Sequence, residues 1–414
     1  MKPNVLQRCL GDLDDFIENT WSRRALLQRG AGEGSFDDLL SLANVDEILT
    51  DRLLRYPDVR LIRDGKPLDV QAYNYMEKQD VGPAYLVPDL QAIYDEFARG
   101  ATILLQGVHR YWPPLRALCR EAEAVFGFPV QCNVFVTPGG AQGLATHIDL
   151  YESVVLHTYG TKHWTVYEPT VPFPIGNTGA RVGESELGEP IMEPELRPGD
   201  SLYVPRGFPH KAATSGSASV HATLLIYGRS WVEAFSQLLG SWTETEVAFR
   251  EWLPPRLVTG STGLGAVVAS KLAALSRFVA ALDPDKVAQW ISEEFAVGKA
   301  TSGSSSITGL MGLDHIADET LVAPRPELAY ELQAEGDEIL LVLPERRIQM
   351  PQWVEPALQR VLGTDRMRVG ALDAFLDADS RKVFVRRLIR EGVLVAVAAE
   401  RPRAGRDVGH DGPA

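Results

Sequence analysis

Short apolar runs separated by glycine and proline occupy the middle of the chain, from residue 130 to about residue 230. Runs of this length, bounded by turn residues, predict β-strands, and their close spacing predicts an antiparallel barrel or sandwich. The runs are VQCNVFVTPGG, SVVLHTYG, KHWTVYEP, SLYVPRG and VHATLLIYG. A Gly- and Pro-rich insert, VPFPIGNTGARVGESELGEP, predicts a loop of a length that is often functional.

Helices and short strands alternate in the first 130 residues. The spacing of apolar residues in DDLLSLANVDEILTDRLL predicts a helix. VPDLQAIYDEFARG predicts a second helix, which begins near Asp89 and ends at Gly100. VRLIRDG predicts a strand that enters an Asp-Gly turn, and ATILLQGV predicts another strand.

From Trp231 the pattern becomes helical. WVEAFSQLLGSW predicts one helix, and AVVASKLAALSRFVAALDPDKVAQWISEEF predicts a long amphipathic stretch. A linker of small residues near 298–309 precedes a third unit that begins at about Glu327. Its three helices and small hairpin predict a winged helix. We expect its basic helix, SRKVFVRRLIREG, to expose its charges and to bury Val383, Phe384, Leu388 and Ile389.

Composition narrows the class of protein. The chain has 414 residues, 45% of them hydrophobic and 23% charged, which is typical of a globular protein with two or three domains. A net charge of −14 argues against nucleic acid as the main partner and permits a basic protein or peptide. Three cysteines without a CxxC motif indicate a reducing compartment. No signal-like or membrane-length apolar run occurs, so we predict a cytoplasmic location without a membrane partner.

A candidate metal site begins at His147 and Asp149 in THIDLYESVVLHTYGTKHW. On a strand, residues two apart point the same way. The segment LRPGDSLYVPRGFPH ends in His210, and a barrel can place its strand beside that of His147. Two histidines and one carboxylate form a facial triad that binds Fe(II) and leaves open positions, although these ligand types alone also suit Zn, Mn or Ni. The triad residues are therefore the predicted catalytic and metal-binding set.

Lys162 follows a turn at Gly160 and is predicted to lie on the neighbouring strand. A lysine inside a barrel is costly unless an anion pairs with it. 2-Oxoglutarate would supply that anion, since one end can chelate iron while its far carboxylate meets the ammonium. The alternative is a lysine that faces solvent at a hairpin. His157 and His163 lie close in sequence to His147 and Asp149, but we expect them to be core or surface residues.

The sequence resembles the Jumonji-C ribosomal oxygenases, which are 2-oxoglutarate-dependent protein hydroxylases with a cupin-type core. The strongest likeness lies in CNVFVTPGGAQGLATHID, GTKHWTVYEP, LRPGDSLYVPRGFPHKA and SVHATLL, and it extends to TWSRRALL and GATILLQGVHRYWP. The resemblance implies that the triad binds Fe(II), that 2-oxoglutarate and O2 are cosubstrates, and that Lys162, Asn133 and His221 contact the cosubstrate. Two departures, Phe135 for a frequent tyrosine and Leu225 for a small polar residue, leave the finer pocket contacts open.

The resemblance also implies the architecture. The fold class is α+β, with a double-stranded β-helix (jelly-roll, cupin-like) core at residues 1–235. A helical dimerisation region is placed at 236–325, a winged-helix domain at 326–400 and a disordered tail at 401–414. A homodimer is the expected assembly.

Three functions stay open at this point. The first is an Fe(II)- and 2-oxoglutarate-dependent oxygenase that hydroxylates a side chain in a ribosomal protein or in the precursor peptide of a natural product, with demethylation of N-methyl-lysine as a variant. The second is a non-catalytic winged-helix scaffold or regulator, which would have a broken triad or lack Lys162. The third is a metal-dependent cupin isomerase or lyase, whose sites tend to use more histidines and do not need this lysine.

Overall fold

The structure is a computed structural model. It describes residues 4–32, 34–78, 82, 84–176, 183–253, 264–295, 307–325, 328, 330–343 and 346–397, so the predicted tail and most of the predicted linker lie outside the described residues. The chain divides into two compact units, Met1–Val297 and Gly298–Ala414.

The described helices are α1 (Val5–Leu10), α2 (Leu13–Asn19), α3 (Leu42–Asp51), α4 (Leu90–Ala98), α5 (Pro113–Phe126), α6 (Trp231–Thr245), α7 (Leu264–Ala280), α8 (Pro284–Phe295), α9 (Ile307–Met311), α10 (Glu355–Leu362) and α11 (Ala378–Arg390).

The described strands are β1 (Leu26–Gln28), β2 (Val59–Arg63), β3 (Lys66–Pro67), β4 (Asn74–Glu77), β5 (Tyr85–Pro88), β6 (Thr102–Leu105), β7 (Val130–Thr137), β8 (Glu152–Tyr159), β9 (Lys162–Tyr167), β10 (Pro190–Met192), β11 (Glu195–Leu196), β12 (Ser201–Val204), β13 (His210–Ala213), β14 (Ser219–Ile226), β15 (Leu321–Pro324), β16 (Glu331–Glu335), β17 (Glu338–Leu343), β18 (Arg346–Pro351), β19 (Met367–Arg368) and β20 (Leu394–Ala396).

Two antiparallel sheets form the core of the N-terminal unit. The larger has the strand order β1-β12-β8-β14-β7-β6-β2-β3, and the smaller places β9 between β13 on one side and β10 and β11 on the other. Val155 and Val204 of the larger sheet pack with Trp164 and Val166 of the smaller one, so the sheets face each other. The predicted jelly-roll core is confirmed.

Helices cover the outer face of the larger sheet. Phe16 of α2 and Leu115 of α5 belong to the same buried cluster as Val134 of β7 and Tyr203 of β12. Asp89 caps α4 through a hydrogen bond from the Ala92 N–H, as its sequence predicts. This layer leaves the inner face of the sheet for the cavity described below.

Turn residues set the strand pairings. The predicted Asp-Gly turn after β2 is confirmed, since Asp64 and Gly65 both have positive φ angles, 50° and 73°. Gly160 joins β8 to β9 with a φ of 66°, and a Cβ there would lie 1.8 Å from the Ala218 carbonyl oxygen. Only glycine fits this turn, which delivers Lys162 as the first residue of β9.

The helical pattern predicted from residue 266 is confirmed, although it does not form one continuous helix. It forms α7 and α8, which are bent by 90° at the intervening break. Pro284 begins α8 because it lacks an N–H donor and disfavours a helical conformation of Asp283. Among the described residues, no single helix has the length and apolar character to span a membrane, and α7 and α8 meet that test only as a bent pair.

The C-terminal unit has its own core, formed by β15–β20 with α10 and α11. The prediction for α11 is partly wrong, because Val383 is 62% exposed and Val385 is buried in its place. Basic side chains of this helix make intramolecular contacts: Arg381 pairs with Asp318, and Arg386 and Arg387 donate to backbone carbonyls. The winged-helix assignment stays a prediction.

Candidate metal centre and anion pocket

His147 and His210 meet across an isolated antiparallel bridge. The His210 N–H donates to the His147 carbonyl at 2.9 Å, and the His147 N–H donates to the His210 carbonyl at 3.2 Å. His210 begins β13, whereas His147 and Asp149 lie in an irregular segment before β8. The expectation that His147 and Asp149 lie within a regular strand is therefore wrong. The predicted adjacency of His147 and His210 is present.

Three candidate ligands converge at this bridge. Asp149 Oδ1 lies 3.8 Å from His147 Nε2, and Asp149 Oδ2 lies 3.6 Å from His210 Nε2. One ligand atom from each residue lies within 4.8 Å of the others. The Ser153 hydroxyl donates to Asp149 Oδ2 at 3.2 Å and orients the carboxylate.

The protonation of both rings suits a metal site. His147 Nδ1 lies 2.8 Å from the Ala145 carbonyl oxygen, and His210 Nδ1 lies 3.0 Å from that of Phe208. Carbonyls only accept, so each Nδ1 carries a proton, and the Nε2 of the neutral ring is the atom available to a metal. Burial, followed by the neighbouring His147, lowers the pKa of His210 to about 4, which keeps this ring neutral at pH 7.

A turn before His210 connects the ligands through the backbone. The Gly207 N–H donates to the Asp149 carbonyl at 2.9 Å, and the Arg206 N–H donates to Glu152 Oε2 at 3.1 Å. Glu152 is 3% exposed and also accepts a hydrogen bond of 2.6 Å from the Tyr203 hydroxyl. Sequence reasoning missed Glu152, although a carboxylate at the start of an apolar strand was a visible signal.

The triad borders a cavity of about 260 Å³ between the two sheets. Lys162 lines it and is 2% exposed. Its Nζ donates to Thr137 Oγ1 at 2.9 Å, and no carboxylate of the described residues pairs with it. Burial lowers the pKa of Lys162 from 10.5 to about 7. The cavity therefore contains a buried lysine for which the described residues supply no counter-ion.

Thr137 is a further residue that sequence reasoning missed. It is fully buried, and its Oγ1 accepts hydrogen bonds from Lys162 and, at 3.2 Å, from Thr102. Strand parity could have found it, because Asn133, Phe135 and Thr137 alternate onto one face of β7.

Asn133 and His221 both line the cavity. Asn133 Oδ1 accepts from the Gly107 N–H and from Gln131 Nε2, both at 2.9 Å, so this amide also satisfies a backbone group. The ring of His221 stacks on Phe135 at 4.9 Å, and its Nδ1 is buried without a hydrogen-bond partner among the described residues. Phe135 and Leu225, the two departures from the family pattern, line the same cavity.

His157 and His163 do not line the cavity. His157 is fully buried, and its Nε2 lies 3.0 Å from the Gly160 carbonyl oxygen at the turn before β9. Burial lowers the pKa of His157 to about 4, so this ring is neutral. His163 is exposed on the opposite face of β9 from Lys162.

Comparison with known proteins places the site within a recognised domain. Residues 112–233, which include all three candidate ligands and Lys162, match the family described as "JmjC domain". A "Bifunctional lysine-specific demethylase and histidyl-hydroxylase NO66" from Aedes aegypti is 31% identical over 258 residues, which are 59% of this chain and 38% of that protein. "Ribosomal oxygenase 1" from Rattus norvegicus is 31% identical over 250 residues, 58% of this chain and 40% of that one. The chain thus spans about two fifths of the length of these relatives.

Solved structures show the same fold. YcfD, a ribosomal oxygenase from Escherichia coli solved in complex with cobalt and 2-oxoglutarate, superposes with a TM-score of 0.54 at 18% identity, covering 94% of this chain and 98% of that one. At this identity the likeness concerns the fold alone.

Proposed function

We propose that this chain, of which residues 112–233 match the JmjC domain family, is an Fe(II)- and 2-oxoglutarate-dependent oxygenase that hydroxylates an amino-acid side chain in a protein or peptide, as the names of its ribosomal oxygenase relatives suggest. One observation carries this proposal: a two-histidine, one-carboxylate triad and a buried lysine without a counter-ion line the same cavity. The triad suits Fe(II), and the lysine suits the far carboxylate of a dicarboxylate.

The donor set fits the metal. His147 and His210 donate from Nδ1 to backbone carbonyls and present their Nε2 atoms to the site, and Asp149 adds a carboxylate oxygen. These three residues would hold the iron. Together with 2-oxoglutarate and O2, the bound iron would supply the oxidising power for hydroxylation, and 2-oxoglutarate would be converted to succinate and CO2. YcfD, whose structure contains cobalt and 2-oxoglutarate, supports this choice of metal class and cosubstrate.

The other cavity residues would orient the cosubstrate and exclude water. Lys162 would pair with its far carboxylate, and Thr137 holds the ammonium in place. Asn133 and His221 lie on the inner face of the larger sheet and would contact the rest of the molecule. Enclosure by apolar and aromatic side chains strengthens each of these polar contacts.

The substrate class follows from the relatives. The names ribosomal oxygenase and histidyl-hydroxylase favour a ribosomal protein, and the demethylase in the name of the NO66 proteins keeps N-methyl-lysine as a second candidate target. A precursor peptide would use the same site. The scaffold and the isomerase or lyase are disfavoured because both would leave the buried Lys162 without a role.

The domain scheme is part of the proposal. We assign the catalytic domain to 1–235, the dimerisation region to 236–325 and a winged helix to 326–400. Exposed apolar side chains support a homodimer through the helices that follow the barrel: Trp231 is 71%, Val232 57%, Leu272 57% and Val279 55% exposed. The cysteines at 9, 119 and 132 are free and buried, which fits the proposed cytoplasmic location.

Succinate release tests the function. Protein loaded with Fe(II) under anaerobic conditions is given 2-oxoglutarate and O2, with and without fragments of ribosomal proteins. Succinate that rises with one fragment identifies the substrate, and the hydroxylated residue is located by mass spectrometry. His147→Ala should release none. A wild-type protein that neither releases succinate nor binds 2-oxoglutarate when loaded with Co(II) would overturn the proposal.

A further inference from the structure

The segment that follows β9 lies against the turn that connects the metal ligands. A Cβ on Gly207 would come within 2.5 Å of Pro174 Cδ and 3.7 Å of the Val171 carbonyl oxygen. The Gly207 N–H is bonded to the Asp149 carbonyl, and the Tyr167 N–H at the end of β9 is bonded to the Pro209 carbonyl. This rim segment, residues 168–176, therefore lies beside the metal centre.

The rim segment exposes apolar side chains. Pro174 is buried and anchors the segment, whereas Val171 is 51% and Phe173 57% exposed. Phe173 has a φ of 49°, in the left-handed region that non-glycine residues rarely adopt. Such a conformation costs free energy and tends to persist where function needs it. Phe173 is thus held outward beside the site by a strained backbone.

Two carboxylates flank the last residue pair at the base of the rim segment. Tyr167 of β9 pairs with Pro190 of β10, and Glu168 directly follows this pair in sequence while Glu189 directly precedes it. Both are exposed, and neither forms an ion pair within the described part of the chain. Exposed carboxylates that have no internal cationic partner favour a cationic ligand. The pair therefore attracts a basic group.

We propose that the rim segment docks the polypeptide substrate, with a basic side chain against Glu168 and Glu189 and an apolar side chain against Val171 and Phe173. The occupant is a cationic segment in which basic and apolar residues are neighbours. The proposal rests on the proposed function, because it takes the metal centre as the place of reaction. Charge complementarity and the direct contact with the ligand-bearing turn favour this occupant over a second copy of the chain.

Peptide binding tests the inference independently of turnover. A fluorescent peptide of alternating Lys and Leu and a Glu–Leu peptide of the same length are titrated with protein loaded with Co(II) and 2-oxoglutarate. We expect the basic peptide to bind more tightly, Phe173→Ala to weaken it about tenfold, and Phe173→Leu to restore most of the affinity. The double variant Glu168→Lys, Glu189→Lys should reverse the preference between the peptides.

Matched controls lie on α2, in the helical layer over the opposite sheet. Ile17 is 43% exposed and Glu18 is exposed, so Ile17→Ala and Glu18→Lys remove similar groups away from the rim segment. Both variants should bind the basic peptide like the wild type. Equal weakening by Glu18→Lys and Glu168→Lys would show general charge attraction and overturn the inference. The inference would also be overturned if Phe173→Ala changed the oligomeric state measured by sedimentation but left the affinity for the basic peptide unchanged. Failure of the Co(II) protein to bind 2-oxoglutarate would instead count against the proposed function.

Discussion

Replacing Lys162 by methionine should stabilise the barrel while removing the anchor for the cosubstrate. Lys162 is 2% exposed, and its ammonium has only the Thr137 hydroxyl as a partner among the described residues. Methionine has a similar length and no charge, so it fits the same space without the cost of burying an ion. The two effects, on stability and on ligand binding, have opposite signs.

The lowered pKa of Lys162 gives the size of the expected stabilisation. A fall from 10.5 to about 7 corresponds to about 5 kcal/mol of unfolding free energy. The unfolded chain keeps the ordinary lysine pKa and therefore binds the extra proton between pH 7 and pH 10.5. The destabilisation caused by burying the protonated Lys162 is fully present below about pH 7 and disappears as the pH rises towards 10.5. Losing the hydrogen bond to Thr137 offsets about 1 kcal/mol, so Lys162→Met should gain about 3 to 4 kcal/mol at pH 6.

Calorimetry at several pH values measures this difference. The unfolding transition of the barrel is the one that Co(II) and 2-oxoglutarate together raise in the wild type. Lys162→Met should raise that transition most at pH 6 and progressively less towards pH 10, and 2-oxoglutarate should add little to it. Lys211→Met, on the half-buried Lys211 of β13, is the control and should change little. A Lys162→Met protein that is less stable than the wild type at pH 6 would refute the reasoning.

Four further outcomes follow from the site. Between pH 6 and pH 8, calorimetric titration of the Co(II) protein should show 2-oxoglutarate binding about tenfold more weakly as Lys162 loses its proton, and a flat profile would contradict this. His147→Ala or Asp149→Ala should abolish turnover and the visible absorption of bound Co(II) while far-UV circular dichroism stays unchanged; turnover at the wild-type rate in either variant would exclude it as a ligand. Glu152→Gln should lower the unfolding free energy by about 2 kcal/mol and weaken Co(II) binding, since the carboxylate holds the turn before His210; unchanged metal affinity would leave Glu152 a purely structural role. Thr137→Val should weaken 2-oxoglutarate binding several-fold with metal affinity unchanged, and equal loss of both would point to a collapsed cavity.

Five barrel strands, β7, β8, β9, β12 and β14, were predictable because each is a short apolar run followed by glycine or proline. The immediate surroundings of the ligands were not. Strand parity placed His147 and Asp149 on one face of a regular strand, but the segment is irregular and only the bridge to His210 aligns it. That bridge joins residues far apart in the chain, and nothing local in the sequence fixes its register. The residue types and their order could be predicted, whereas the pairing had to be observed.

Errors in the helical regions have a different origin. The break before α8 could have been predicted, because Pro284 and Asp283 form a start signal inside an otherwise continuous pattern. On α11, whether Val383 or Val385 is buried depends on how the helix is rotated about its axis against the core. A short pattern with a valine on either side of Phe384 does not determine that rotation. Tertiary packing decides such positions.

The residues that conflict with their surroundings were the most informative about function. A lysine in an apolar strand violates the rule that buried charges are paired, and the fold gives it a single hydroxyl. Such a violation persists where a ligand supplies what the protein lacks. The same reasoning applies to Phe173, which is exposed in a strained conformation, and to Glu168 and Glu189, which are exposed without an ion pair within the described part of the chain. Lys162, inside the cavity, favours binding of an anion. The rim segment, beside the metal centre, favours binding of a chain with basic and apolar side chains. The proposed oxidation of a cationic polypeptide with a dicarboxylate cosubstrate would resolve both conflicts.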